Sequence, residues 1–233
     1  MSFLVIFTST NLGIVKKTAI ILGATGLTGG LFLNKLLNDE RYDQIIVFSR
    51  KSTGIKHKKI TEYQGNIINL DSFEKEFYAD EVYCCIGTTA KKTPDKSLYK
   101  KIDIGIPVTA AKLCKKNKIE TFIVMSSLGA NSKSTVFYNK IKGVMEEEVL
   151  KEGIPFTYIL RPSIILGNRN ENRLGEDMGK IIMRFFQFLM IGEIRKYRPI
   201  EANKIARTMI YLANAKTDLQ IIESDRIEEL ARV

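Results

Sequence analysis

Cysteine and histidine are scarce in this chain: Cys84, Cys85, Cys114 and the single histidine His57 are all that 233 residues contain. Two of the three cysteines are adjacent, so they form neither a disulfide framework nor a metal cluster, and they point to a reducing, cytoplasmic setting. His57 lies in the lysine-rich loop His57-Lys58-Lys59, away from any cysteine it would activate, and Cys84 and Cys85 read as buried strand residues. Long hydrophobic runs are also missing. The richest apolar stretch, Ile181 to Ile191, contains Arg184 and Gln187 and is far shorter than the roughly twenty residues of a membrane span. The apolar start, Phe3-Leu4-Val5-Ile6-Phe7, has no basic residue ahead of it and no convincing cleavage site, which argues against a secretory signal.

Acidic residues are outnumbered, 26 against 36 Lys and Arg, for a net charge of +10. Such an excess can steer nucleic acid, a membrane surface or a phosphorylated ligand. The basic residues are scattered, as at Lys91-Lys92, Lys100-Lys101 and Lys115-Lys116, and no basic-aromatic module of a nucleic-acid reader is present. The charge is therefore read as a solvated surface that also draws an anionic cofactor, with no nucleic-acid partner.

Apolar runs recur at the spacing of β-α units. Strands are expected at Ala19–Leu22, Ile45–Phe48, Ile60–Tyr63, Val82–Ile86, Thr121–Met125, Phe156–Leu160 and Leu219–Ile222. Amphipathic helices are expected at Leu27–Leu37, Asp71–Phe77, Pro107–Lys116, Phe137–Leu150 and Asn203–Ala213. The pattern predicts a doubly wound, mostly parallel α/β sheet with right-handed crossovers and a small C-terminal substrate-side lobe. Residues 17–233 then form one domain, with 164–200 as a lid or substrate-side segment and 1–16 as an extension.

Ligands of such a sheet bind beyond the carboxyl ends of its strands. After the first strand comes Gly23-Ala24-Thr25-Gly26-Leu27-Thr28-Gly29, a glycine turn opening a helix, where backbone amides can meet a dinucleotide pyrophosphate. Gly23, Gly26 and Gly29 are three apart, unlike the GxGxxG fingerprint, but strand, turn and helix follow in the required order. After the second strand an acid for the ribose diol is absent. Arg50 and Lys51 stand there instead, and their charge favours a 2′-phosphate, hence NADP(H) over NAD(H). Asn66, after the third strand, is placed to bond the adenine edge, and Gly87 and Thr88, after the fourth, to let ribose and nicotinamide approach the backbone.

After the fifth strand come Ser126-Ser127, and Tyr138 and Lys142 follow four residues apart, on one face of the next helix. An ammonium beside a phenol favours tyrosinate, so Tyr138 can exchange a proton with a carbonyl or alcohol oxygen that serine holds.

The glycine turn, Cys84-Cys85-Ile86-Gly87-Thr88-Thr89, Ser126-Ser127-Leu128-Gly129-Ala130, Tyr138-Asn139-Lys140-Ile141-Lys142-Gly143 and Leu160-Arg161-Pro162 together resemble the atypical short-chain dehydrogenase/reductase superfamily. The chain is most similar there to the Tat-interacting-protein-like NAD(P)-binding oxidoreductases, from about Lys17 to its carboxyl end. The resemblance implies a Rossmann-type fold, NADP(H) on Gly23, Thr25, Gly26, Leu27, Thr28 and Gly29, and Ser127, Tyr138 and Lys142 as the catalytic trio, with Ser127 rather than Ser126 at the serine position. It also implies a cofactor and substrate wall at Arg161, Pro162 and Ser163. The expected activity is an oxidoreductase acting on a small carbonyl or alcohol. The alternatives are a cofactor-dependent regulatory module with a partner or self-association surface near Phe185, and a sugar-nucleotide epimerase or dehydratase.

Overall fold

A computed structural model describes residues 16–167 and 190–232. The strands are β1 (Lys17–Leu22), β2 (Tyr42–Ser49), β3 (Ile60–Gln64), β4 (Glu81–Cys84), β5 (Thr121–Met125), β6 (Phe156–Arg161), β7 (Ile165–Leu166), β8 (Ile200–Glu201) and β9 (Ile221–Glu223). The helices are α1 (Leu27–Leu37), α2 (Lys96–Lys100), α3 (Ile106–Lys116), α4 (Phe137–Lys151), α5 (Ala202–Ala215) and α6 (Ser224–Leu230). Seven strands form one sheet in the order β3-β2-β1-β4-β5-β6-β9, and every pairing in it is parallel. The order reverses between β1 and β4, and an open α/β sheet offers its ligand crevice at that reversal.

The alternation of side chains along β1 shows why the sheet needs helices on both faces. Ala19 and Ile21 join a core with Phe32 and Leu33 of α1, Ile205 and Met209 of α5, and Ile227 of α6. Ile20 and Leu22 point the other way, to Ala110 and Cys114 of α3 and Met145 and Val149 of α4. All four β1 residues are fully buried, and the Ile20, Ile21 and Leu22 side chains each contribute about 1.5–3 kcal/mol. A strand with no solvent face has to be apolar throughout, which is how Ala19–Leu22 reads.

Helix Leu27–Leu37 and strand Thr121–Met125 fall where periodicity predicts them. The helix expected at Asp71–Phe77 is instead a 3-10 segment, Ile67–Glu76, broken at Asn69 and Phe73. Phe73 turns inward there to meet Phe48 at 5.3 Å, and that packing overrides a regular helix. Strand β4 stops at Cys84 rather than Ile86, with the Cys85 amide still donating to the Leu22 carbonyl at 2.8 Å. The last sheet strand is displaced to Ile221–Glu223 by its pairing with Ile159–Arg161. Helix α2 and the π-turn Lys101–Gly105 that joins it to α3 were not anticipated. The segment expected as a lid leaves from β7 and returns at β8, and these two strands pair in parallel.

Candidate functional site

The glycine turn is shaped by contacts that only hydrogen can fill. Gly23 has φ +88, and a Cβ on it would lie 2.9 Å from the Cys85 carbonyl carbon. On Gly29 a Cβ would meet the Gly23 carbonyl oxygen at 2.2 Å, so this residue lets α1 seat against the end of β1. Gly26, the N-cap of α1, supplies no side-chain cap. The Gly26 amide donates to Gly23 and that of Gly30 to Gly26, while the amides of Leu27, Thr28 and Gly29 meet no carbonyl of the described chain. Three free N–H groups at the positive end of a helix form a ready cradle for an anion. Thr25 and Gly26 are exposed at its rim, and Gly167, at the end of β7, packs against the Leu27 side chain.

Beside this cradle the β4 exit carries Gly87, exposed, and Thr88, half-buried. The Thr88 amide donates to Asp103 Oδ2 at 2.9 Å, and the Thr88 and Thr93 hydroxyls are 2.8 Å apart. Asp103 projects from the π-turn and is fully buried. Its Oδ1 lies 2.9 Å from Lys142 Nζ on α4, and Nζ also donates to the Met125 carbonyl at 3.4 Å. Burial pulls the Lys142 ammonium down, but Asp103 first and Tyr138 next outweigh it and hold the group above the ordinary lysine range. Lys142 is thus a fixed buried cation. Tyr138, one turn earlier on α4, is 40% exposed at the mouth of the crevice.

The adjacent serines part company. Ser126 Oγ donates to Glu146 Oε1, whereas Ser127 Oγ is buried with no hydrogen-bond partner in the described chain. Their loop is held by the Leu128 amide, which donates to the Pro162 carbonyl at 2.9 Å, and by the Asn131 amide, which donates to Asn139 of α4 at 3.0 Å. Gly143 lets α4 come this close, since a Cβ there would fall 2.1 Å from the Ser132 nitrogen. Tyr138, Lys142 and Glu146 repeat every four residues on one helical face. The structure therefore brings Ser127, Tyr138 and Lys142 to the same end of the sheet as the glycine turn and Gly87.

Other predicted site residues are occupied differently. Arg161 donates from Nε to Glu146 Oε1 at 2.9 Å and from an Nη to Oε2. Pro162 is buried, and Ser163 Oγ donates to the Arg198 carbonyl and accepts from Ser224 at 3.1 Å. These three residues brace the exit of β6 instead of presenting free groups to a ligand. Asn66 caps the 3-10 segment by accepting from the Ile68 amide at 3.2 Å, which leaves its NH2 free. Arg50 and Lys51 are exposed, and the turn between them is set by Ser49 Oγ donating to the Lys51 carbonyl at 2.6 Å. Phe185 lies outside the described residues. Burial raises the Cys84 thiol to about 12 and pushes Cys85 up as well, so neither is a nucleophile.

Two residues that carry the site's electrostatics, Asp103 and Glu146, were missed in the sequence. Asp103 had a signal: a lone carboxylate between Ile102 and Ile104, where an unpaired acid would not be buried. Glu146 had only its four-residue offset from Lys142.

Residues 23–180 match the NAD(P)H-binding family. The chain belongs to this family, within the atypical short-chain dehydrogenase/reductases. Among curated relatives it is 32% identical over 161 residues to Protein FMP52-1, mitochondrial, of Scheffersomyces stipitis, covering 67% of this chain and 70% of that one. It is 28% identical over 226 residues to Protein FMP52, mitochondrial, of Candida albicans, covering 92% and 98%, and 27% identical over 165 residues to Protein HTATIP2 of Rattus norvegicus, covering 69% of each. In fold it matches the Bordetella bronchiseptica enzyme WbmH in complex with NAD+, with TM-score 0.67 and 16% identity over 93% of this chain and 80% of that one. It also matches the UDP-glucuronic acid 4-epimerase of Bacillus cereus in complex with NAD, with TM-score 0.66 and 16% identity over 88% and 77%.

Two expectations are corrected by these relatives. The preference for NADP(H) does not stand, because the solved neighbours hold NAD, and among the described residues no contact fixes the Arg50 or Lys51 cation over a ribose. A cytoplasmic address does not stand either, since the FMP52 proteins are mitochondrial. Reduced cysteines indicate a reducing environment and nothing finer. Among the described residues no helix is long and apolar enough to cross a membrane, as the sequence led us to expect.

Proposed function

We propose that this NAD(P)-binding protein holds NAD(H) across the β1/β4 reversal and uses it to interconvert a small carbonyl compound and its alcohol, in mitochondria as its FMP52 relatives are named. The observation that carries this reading is the convergence, at one end of the sheet, of three helix-end amides and a buried Ser127 hydroxyl that have no partner among the described residues with a fixed Lys142 cation and an accessible Tyr138 phenol. When bound, the nicotinamide supplies or accepts the hydride at its C4. The amides of Leu27, Thr28 and Gly29 bind the diphosphate, with Gly23, Thr25 and Gly26 forming the turn around it. Gly87 and Thr88 let the nicotinamide half lie against the backbone, and Lys142 takes a ribose hydroxyl. The Tyr138 phenol, one turn from Lys142 on the same face of α4, exchanges a proton with the substrate oxygen. Ser127 Oγ donates a hydrogen bond to that oxygen and orients it. A sheet that takes its strands from Lys17 through Glu223 supports one cofactor-binding unit over 17–233.

Titration with NADH, followed by nicotinamide fluorescence and calorimetry, tests the reading. Saturable binding is expected, and its absence for both NADH and NAD+ would end the proposal. A panel of small aldehydes and ketones then tests turnover, with Tyr138→Phe expected to bind NADH normally and to lose at least a hundredfold in rate.

A further inference from the structure

Asp103 and Lys142 form a buried ion pair that lies against Gly87, a residue without a side chain. A Cβ on Gly87 would lie 3.6 Å from Asp103 Oδ1 and 3.6 Å from Lys142 Nζ, and Gly87 itself is exposed. Asp103 is 0% and Lys142 3% exposed, so water screens both charges weakly, and Gly87 puts no side chain between them and a group lying on its backbone. The second Asp103 oxygen is tied to the Thr88 amide at 2.9 Å, so the carboxylate has a fixed direction. A carboxylate costs several kcal/mol to bury, and here it is held against the Lys142 ammonium, which also reaches the Met125 carbonyl at 3.4 Å.

We propose that Asp103 is a counter-charge that tunes which redox form of the nicotinamide this site prefers. The inference rests on the cofactor reading above, which places the nicotinamide half over Gly87. The oxidised ring carries one positive charge and the reduced ring none. With Lys142 alone beneath Gly87 the oxidised ring would be repelled and NADH favoured. Asp103 cancels that repulsion, leaving the pair neutral, so the site holds NAD+ and NADH with comparable affinity and can run in either direction. Asp103 touches neither substrate nor ring in this scheme and acts as a tuning residue through charge.

The ratio of dissociation constants for NAD+ and NADH, measured by calorimetry on the full chain, reads the effect without any substrate. For the native protein the two constants are expected within about tenfold of each other. Asp103→Asn is expected to move the ratio at least tenfold toward NADH, the effect of a unit charge about 6 Å from the ring at an effective dielectric of about 40. Lys142→Gln is expected to move it in the opposite direction, and the double variant to return it to the native value. Asp103→Glu, which keeps the charge, should keep the ratio. A purely structural Asp103 would weaken both forms equally, and an unchanged ratio in Asp103→Asn, or shifts of the same sign in the two single variants, would overturn the proposal. If a single variant fails to fold, the native ratio decides, because a preference for NADH above about a hundredfold contradicts a neutral pair. Failure of both nucleotides to bind the native protein would instead defeat the cofactor reading on which this rests.

Discussion

Gly29 stands so close to Gly23 that a single added methyl would lie 2.2 Å from the Gly23 carbonyl oxygen. Backbone cannot yield as a side chain does, so Gly29→Ala has to move α1 off the end of β1. Overpacking of this kind costs about 1–3 kcal/mol, and the displaced helix carries the amides of Leu27, Thr28 and Gly29 with it. The expected result is a lower urea midpoint together with loss of NADH binding. Full affinity in the alanine variant would show that the anion is held elsewhere.

Arg50 makes the opposite prediction. It is exposed, and among the described residues neither a hydrogen bond nor an ion pair anchors its guanidinium. An exposed, unanchored cation contributes little specific energy to a neighbouring group. Arg50→Ala is therefore expected to leave the dissociation constant for NADH within about twofold of native at physiological salt. Calorimetry on the two proteins checks this, and a loss of tenfold or more would place Arg50 in the site.

The contrast between Gly29 and Arg50 shows what was legible before the fold was known. A glycine turn between an apolar strand and an apolar-periodic helix is a local pattern, and its meaning survives without neighbours. The strand Thr121–Met125 and the helix Leu27–Leu37 were readable for the same reason. Charged residues are different, because their role depends on a partner far along the chain. Asp103 and Lys142 are 39 residues apart, and Arg161 meets Glu146 across 15. Arg161 after a strand reads as a ligand donor until Glu146 is seen to accept from it, and Glu146 is hidden among Glu146-Glu147-Glu148, where only packing tells which acid faces inward. The cations at Arg50 and Lys51 misled for the same reason, since a charge at the right strand end says nothing about whether it is held there.

Glu146 is 3% exposed and accepts from both Arg161 and Ser126. Its removal strands a partly buried guanidinium and a buried hydroxyl at the point where β5, β6 and α4 meet. Breaking a buried pair from one side costs about 3–5 kcal/mol, so Glu146→Ala is expected to lower the unfolding free energy by that order in urea. The reciprocal change Arg161→Met leaves Glu146 bonded to Ser126 but without its cation, and is expected to cost a similar amount. Combining the two should cost less than the sum, because the double variant buries no uncompensated charge. Strict additivity would mean that the pair is not coupled.

Buried thiols make the stability depend on pH. The Cys84 thiol is raised by burial from its ordinary value to about 12. In the unfolded chain it ionises near pH 9, so between about pH 9 and 12 the native state keeps a proton that the unfolded state has lost. A group whose folded value is raised stabilises the native state fully below the unfolded value, and that contribution is lost as pH rises toward the folded one. Each such group steepens the loss of stability by about 1.4 kcal/mol per pH unit in that window. Lys142, also held above its ordinary range, acts with the same sign from a higher starting pH. Cys84→Ala removes one titrating group. The slope of unfolding free energy against pH, from urea melts at pH 8.5 to 10.5, is expected to become shallower by about 0.7 proton on average. An unchanged slope would mean that the thiol is ionised or solvated in the native state, and would reopen Cys84 as a reactive group beside Gly87.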